Sequence, residues 1–350
     1  MEQGTPGAQG YRWPAEWEPH AATWLAWPKN PDTWPGRLER AVEGFVGIVR
    51  ALHPFERVNL LVDSPAMEAA ARARLAAGGV SRDADVAFVL APTNDAWTRD
   101  YGPIFVVRGE GAERRRAIID FGYDAWGGKY PPWELDDAIP TRLAAGLGLA
   151  CFAADFVLEG GSIDGNGRGT LLTTETCLLH PNRGRGRTRE QMEQRLAAWL
   201  GVTQVLWLGE GIAGDDTDGH VDDIARFVDA GTVVAVVEDD LHDVNAAPLA
   251  ANLRRLRGMR DAVGKPLAVA TLPMPPALHV AGQRCPASYA NFYLGNGVAL
   301  VPTFGAPSDA RALAILRELL PGREVVGVRC DELVYGLGAI HCLSQQEPAA

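Results

Sequence analysis

Short apolar runs recur along the whole chain and set the first limit on how it folds. Val58–Val62, Val86–Leu90, Ile104–Val107, Ile118–Phe121, Phe156–Leu158 and Leu171–Thr174 are the first six; Val205–Leu208, Val233–Val237, Leu267–Thr271, Val298–Pro302 and Val325–Val328 follow. Bounded by Gly, Pro, Asn and Asp, each reads as a strand. Helical periodicity lies between them. Leu38, Val42, Phe45, Val49 and Leu52 step by four and three and form one apolar face. Thr188 and Gln191 make a capping box ahead of Met192, Leu196 and Trp199, with Gly201 at the C-cap position. Ser308 is placed to cap a helix carrying Leu313, Leu316 and Leu320. Gly295-Asn296-Gly297 reads as a hairpin turn, as does Gly165–Gly169. The order is paired strands, then a helix, then another strand, several times. That predicts an α/β (α+β) chain of repeated strand, strand, helix, strand modules. No linker stands out, so one domain over residues 11–348 is expected, with residues 1–10 disordered.

Composition narrows the function. The chain has 350 residues, 47% hydrophobic and 22% charged, which is ordinary globular composition and excludes disorder throughout. The formal net charge is −11. Such a surface gains nothing from phosphate counterion release, which argues against nucleic acid or an anionic membrane as partner. The longest smooth apolar stretch, Leu143–Ala154, is shorter than the roughly 18 residues that span a bilayer. The opening residues carry no basic, apolar leader pattern. A cytoplasmic protein is therefore expected.

Five segments combine turn residues with polar groups: Asn94–Pro103, Phe121–Gly128, Leu158–Gly161, Asp215–Asp223 and Gly336–Cys342. In an extended stretch His220 and Asp222 share a face. Two carboxylates in one pocket, Asp100 and Asp222, call for a cation between them. A guanidinium suits them because its planar fork pairs with carboxylates. Taken one at a time, each is equally a turn or capping aspartate. Asp100, Glu159, His220 and Asp222 also have donor types that ligate a divalent ion, but with a single histidine and no His pair, no metal is expected.

The cysteines are Cys151, Cys177, Cys285, Cys330 and Cys342, odd in number and without C-x-x-C spacing. A disulfide framework or zinc ribbon does not fit. Cys151 and Cys177 sit in apolar runs and read as small buried hydrophobes. Cys342, after Gly336 and Gly338 and within His-Cys-Leu-Ser-Gln-Gln, is the nucleophile candidate. His341 is adjacent and points away, so His220 is the better base; His20 reads as structural. Trp97 and Trp126 offer faces for a cation or, equally, core packing.

These segments together resemble the agmatine deiminase family, related to bacterial peptidylarginine deiminases. The resemblance rests on Trp13–His20, Trp24–Pro28, Asn94–Pro103, Leu158–Gly161, Thr217–Asp222, Ala287–Tyr293 and Ile340–Gln346, in order from about residue 11 to 348. It implies a pentein fold, a five-bladed α/β propeller of ββαβ modules around a central active site. It implies hydrolysis of agmatine to N-carbamoylputrescine and ammonia, within putrescine and polyamine metabolism, through a thiouronium on Cys342. His220 would be the acid and base, Asp100 and Asp222 would hold the guanidinium, and Glu159 would orient His220 or hold a nitrogen. Trp97 matches a substrate-contacting tryptophan, and Trp126 is a second candidate. No cofactor is implied, the partner is a small cationic guanidine, and a homo-oligomer is left open. Deimination of free or peptidyl arginine is the alternative within this chemistry; it needs a cationic partner for the carboxylate, and Arg99 and Arg226 flank the motifs with their direction left open. Amidino transfer and non-enzymatic guanidine binding are others. Leu337 and Ala339 stand where the family has a Gly and an Asn, and Ser162 where it commonly has His.

Overall fold

The computed structural model describes residues 4–350. Among them the strands form five sheets of one pattern and a small hairpin. The chain enters on β1 (His20–Ala26), crosses over helix 38–52 to a parallel β2 (Val58–Val62), and over helix 65–77 to a parallel β3 (Val86–Leu90). In the second sheet β4 (Ile104–Arg108) and β5 (Arg115–Gly122) are antiparallel, and β6 (Ala150–Val157) returns parallel to β5 after helix 139–147. The third repeats this with β7 (Ile163–Gly165), β8 (Thr170–Thr174) and β9 (Gln204–Leu208). The fourth uses β10 (Ala225–Phe227), β11 (Thr232–Val237) and β12 (Ala268–Pro273). After the hairpin of β13 (His279–Val280) and β14 (Gln283–Arg284) comes the fifth: β15 (Tyr293–Gly295), β16 (Val298–Thr303) and β17 (Glu324–Arg329). Finally β18 (Gln345–Pro348) pairs antiparallel with β1, giving the first sheet the same ββαβ order.

The central strand of a unit is buried between helices and neighbouring units, as in β2, β8 and β16, which explains those unbroken apolar runs. β2 is buried at every position. Helix 38–52 sends Val42, Phe45, Val49 and Leu52 into the core, and Ala41, Val46 and Ile48 join them. The capping box at Thr188 is complete, and Gly201 ends that helix at φ 69° in the left-handed region that favours glycine. Gly295 pairs with Val298, so Asn296 and Gly297 form the expected two-residue turn. Gly165–Gly169 likewise joins β7 to β8.

Two expectations need correcting. Ser308 is itself helical and caps nothing; its hydroxyl meets Tyr289 Oη at 2.8 Å. Residues 4–10 are not disordered, although residues 1–3 lie outside the described part. Gly7–Gln9 form a short 3-10 turn, Thr5 and Pro6 are buried, and a Cβ at Gly7 would lie 2.6 Å from the Ala198 carbonyl. No helix among the described residues is long and apolar enough to cross a membrane.

Candidate active site

Four of the five polar segments, and the loop carrying Asn291, end just ahead of the first strand of a unit; Phe121–Gly128 instead follows β5. Asp100 precedes β4, Gly161 precedes β7, Asp222 precedes β10, Asn291 precedes β15 and Cys342 precedes β18. One edge of five like units thus brings five loops together. Contacting partners are far apart in the chain: 61 residues for Asp100 and Gly161, 69 for Asp222 and Asn291, and 51 for Asn291 and Cys342.

Asp100 sits on the single turn Thr98–Tyr101 and is buried. Its Oδ1 accepts from the Gly161 amide at 2.9 Å and its Oδ2 from Trp126 Nε1 at 3.0 Å. Burial pushes its pKa up to about 6; His220 opposes the rise, while Asp222 and Glu159 add to it. His220 Nδ1 lies 3.7 Å from Asp100 Oδ1. Burial alone would favour neutral imidazole at His220, but Asp100, Cys177 and Asp222 outweigh it and hold its pKa well above the ordinary value. His220 and Asp222 do converge, though not as an extended pair. The loop turns at Asp218 (φ 70°) and Gly219 (φ 100°), and Val221–Asp223 form a 3-10 turn. The junction is Gly161: a Cβ there would stand 2.6 Å from His220 Nδ1, 2.7 Å from Asp100 Oδ1 and 3.1 Å from Asp222 Oδ2.

Cys342 Sγ accepts from Asn291 Nδ2 at 3.1 Å and lies 3.8 Å from Asp222 Oδ2. Burial, then the carboxylates of Asp222, Asp223 and Asp100, raise its pKa well above the usual thiol value. Asp222 is also fully buried, yet its pKa is lowered: burial is outweighed by His341 and by the charges of His220 and Arg226. His341 Nδ1 meets Asp222 Oδ2 at 2.6 Å, and its Nε2 meets Glu16 Oε2 at 2.8 Å. His341 therefore stands behind Asp222. Asp222 Oδ1 has no hydrogen-bond partner among the described residues and is free to take one. Gly336 and Gly338 permit the close approach expected of them, since a Cβ at Gly338 would be 2.5 Å from the Trp97 ring. Leu337 holds φ 73°, the conformation that a glycine adopts most easily.

Glu159 is buried behind these groups. Its Oε1 accepts from Arg183 Nε at 2.7 Å, and Arg183 also pairs with Asp218 and donates to the Thr217 carbonyl at 3.1 Å. Arg183 thereby fixes the loop that leads to His220. Arg183→Met leaves a buried carboxylate without its cation, so a loss of about 3–5 kcal/mol in unfolding free energy is expected in urea titration. A loss below about 1 kcal/mol would remove that supporting role.

Above the cysteine opens a cavity of about 570 Å³ lined by Trp97, Asp100, Trp126 and Cys342 among others. Of the seven candidates read from the sequence, these four face it, whereas His220, Asp222 and Glu159 are not among its lining residues. Trp97 packs on Trp34 with ring centroids 5.4 Å apart. Arg99 and Arg226, weighed as carboxylate partners, turn away from the cavity. Arg99 binds Gln345, Gln346 and Glu16; Arg226 binds Asp164 and Glu16. His20 pairs with Glu56, a structural role as expected. Cys177 is buried as expected but lies beside His220, and Cys151 is exposed rather than buried. Asn291, Arg183 and Glu16 were given no role by sequence reasoning. Asn291 lay inside a noted motif, but nothing in sequence pairs its amide with a thiol 51 residues away.

Three comparisons bear on this geometry. The profile of the Porphyromonas-type peptidyl-arginine deiminase family matches residues 12–348. The agmatine deiminase of Ectopseudomonas mendocina is 39% identical, with 99% of this chain and 97% of that protein aligned. The solved agmatine deiminase of Enterococcus faecalis superposes with a TM-score of 0.92 at 34% identity, covering 99% of this chain and 98% of the other. A substrate-bound agmatine deiminase of C. jejuni gives 0.86 at 29% identity, covering 97% and 96%.

Proposed function

Since the chain belongs to the Porphyromonas-type peptidyl-arginine deiminase family, we propose that it hydrolyses agmatine to N-carbamoylputrescine and ammonia. It is a hydrolase of the pentein fold acting on the carbon–nitrogen bond of a guanidine. The observation that carries agmatine over arginine is the charge of the cavity wall. Beyond Asp100 it presents Asp32 and Asp216, and also Asp95 and Asp136, whose pKa values burial raises, that of Asp136 to about 8. Its one cation among the described lining residues is Lys129, whose Nζ is engaged by Asp218 Oδ1 at 2.9 Å and by the Asp216 carbonyl. An ammonium tail is favoured there, and a carboxylate finds no arginine.

In this reading the guanidinium lies over Cys342 between Asp100 and Asp222. Docking that cation offsets the carboxylate charges that keep the thiol protonated, and the thiol proton leaves to solvent. Sγ attacks the guanidinium carbon. No oxyanion hole is needed, because negative charge does not build up on oxygen and the carboxylates supply the electrostatics. His220, protonated through its acidic neighbours, gives its proton to the departing nitrogen, which leaves as ammonia. The thiouronium stays on sulfur. His220 then takes one proton from water as the oxygen attacks, the C–S bond breaks with the remaining hydroxyl proton passing to the departing sulfur, and the ureido product leaves. Glu159 positions His220 from behind.

The test is ammonia release from agmatine, free arginine and a blocked peptidyl arginine in parallel. Like-charge placement costs several kcal/mol, so kcat/KM for agmatine is expected to exceed that for arginine at least about a hundredfold. Comparable values would overturn the substrate assignment, and transfer to added amines in place of ammonia release would overturn hydrolysis. A second expectation concerns pH. Asp100 must be ionised to hold a guanidinium and titrates at about 6 in the free protein. kcat/KM should therefore fall as pH drops below about 6, approaching tenfold per unit. A flat profile between about pH 7 and 5 would contradict that role.

A further inference from the structure

Behind His220 lies a second cluster that the deimination steps do not use as a unit. Donor atoms of Glu159, Cys177 and His220, one from each, lie within 4.8 Å of one another. All three residues are at most 1% exposed. Glu159 Oε2 has no hydrogen-bond partner among the described residues, although buried polar atoms are almost always paired, while the side chains of His220 and Cys177 already interact with each other. The framework holding them is rigid. The Cys177 amide donates to Thr174 Oγ1 at 3.2 Å, and that hydroxyl donates to the Gly219 carbonyl at 2.5 Å, next to His220. Arg183 fixes the other Glu159 oxygen at 2.7 Å. A thiolate, an imidazole and a carboxylate form the three-ligand set that borderline-soft divalent ions take with one position left open. Nearby Asp100 and Asp222 add negative charge that favours a divalent cation.

We propose that Glu159, Cys177 and His220 form an inhibitory site for a zinc-type divalent ion. Binding forms metal–sulfur and metal–nitrogen bonds, breaks the S–H bond of Cys177 and one N–H bond of protonated His220, and sends both protons to solvent. It occupies His220 and removes the proton carrier from the reaction. The inhibition rests on the deiminase reading of His220; the binding does not.

The test therefore reads both. Protein carrying Cys342→Ser, which removes the nucleophilic thiol, is titrated with Co²⁺. A thiolate-to-cobalt absorption band saturating at one equivalent is expected, and it should vanish when Cys177→Ser is added. Glu159→Gln should weaken the same binding at least tenfold, and this decides the matter if the Cys177 variant does not fold. Absence of the band, its survival in the Cys177 variant, or unchanged affinity in the Glu159 variant would overturn the site. In the wild-type protein Zn²⁺ should stop ammonia release, EDTA should restore it, and Cys177→Ser should tolerate at least tenfold more Zn²⁺. Equal sensitivity of the two proteins would overturn the inhibition. A protein with no turnover on any guanidine would leave the cobalt result standing, so the two readings fail separately.

Discussion

Replacing Cys342 by serine is expected to cut agmatine turnover by at least about four orders of magnitude, as removal of a covalent nucleophile does elsewhere. The sulfur is the atom on which the site converges: Asn291 Nδ2 lies 3.1 Å away, Asp222 Oδ2 3.8 Å away, and the cavity opens on its outer side. A hydroxyl in the same carboxylate-rich surroundings is harder still to ionise, and no other thiol faces the cavity among the described residues. Binding should survive, because Asp100 and Asp222 are untouched. The measurement is single-turnover ammonia release beside a direct binding titration. Activity within tenfold of wild type would end the covalent mechanism. Cys285→Ser is the matched control, since that thiol bonds the Gln283 carbonyl and is not itself among the cavity-lining residues.

The second large effect comes from a residue with no side chain. Gly161→Ala places a methyl group 2.6 Å from His220 Nδ1 and 2.7 Å from Asp100 Oδ1, closer than real Cβ atoms approach. Neither neighbour is the free end of a flexible chain. Asp100 is held by Trp126, and the His220 loop is held by Asp215, which accepts the His220 amide at 3.0 Å. The groups must separate by several tenths of an ångström, and displacements of about 1 Å cost on the order of a hundredfold in rate. We expect kcat/KM to drop about 10² to 10³-fold, with about 1–3 kcal/mol lost in stability from overpacking. Gly146→Ala is the control, because a Cβ there meets nothing within 4 Å. A Gly161→Ala enzyme within threefold of wild type would mean that the three groups do not work as one site.

How much of this was legible in the sequence depends on where each residue finds its partner. β2 and helix 38–52 were readable because local composition and burial agree there. β18 was not. Gln345-Gln-Glu-Pro348 looks like a polar tail, and its burial rests on Arg99, Arg116 and Trp24, all far away in sequence. The same holds within the site. Asp100, Asp222 and Cys342 were singled out by turn-rich context and by resemblance. Asn291, Arg183 and the Glu16–His341 link have meaning only through contacts made across several units. Arg99 and Arg226 show the same dependence on distant partners. Their positions beside motifs left their direction open, and buried carboxylates and amides occupy them.

The pairing of β18 with β1 also fixes when the centre comes into being. Trp24 and Glu347, which join those strands at 2.8 Å, are 323 residues apart. Cys342 lies just three residues ahead of β18, so its thiol reaches Asn291 and Asp222 only after the last strand has docked on the first. A cut-and-rejoined chain whose new ends fall between β14 and β15 would make β18 and β1 neighbours in sequence, so that the closure which seats the nucleophile becomes a local pairing.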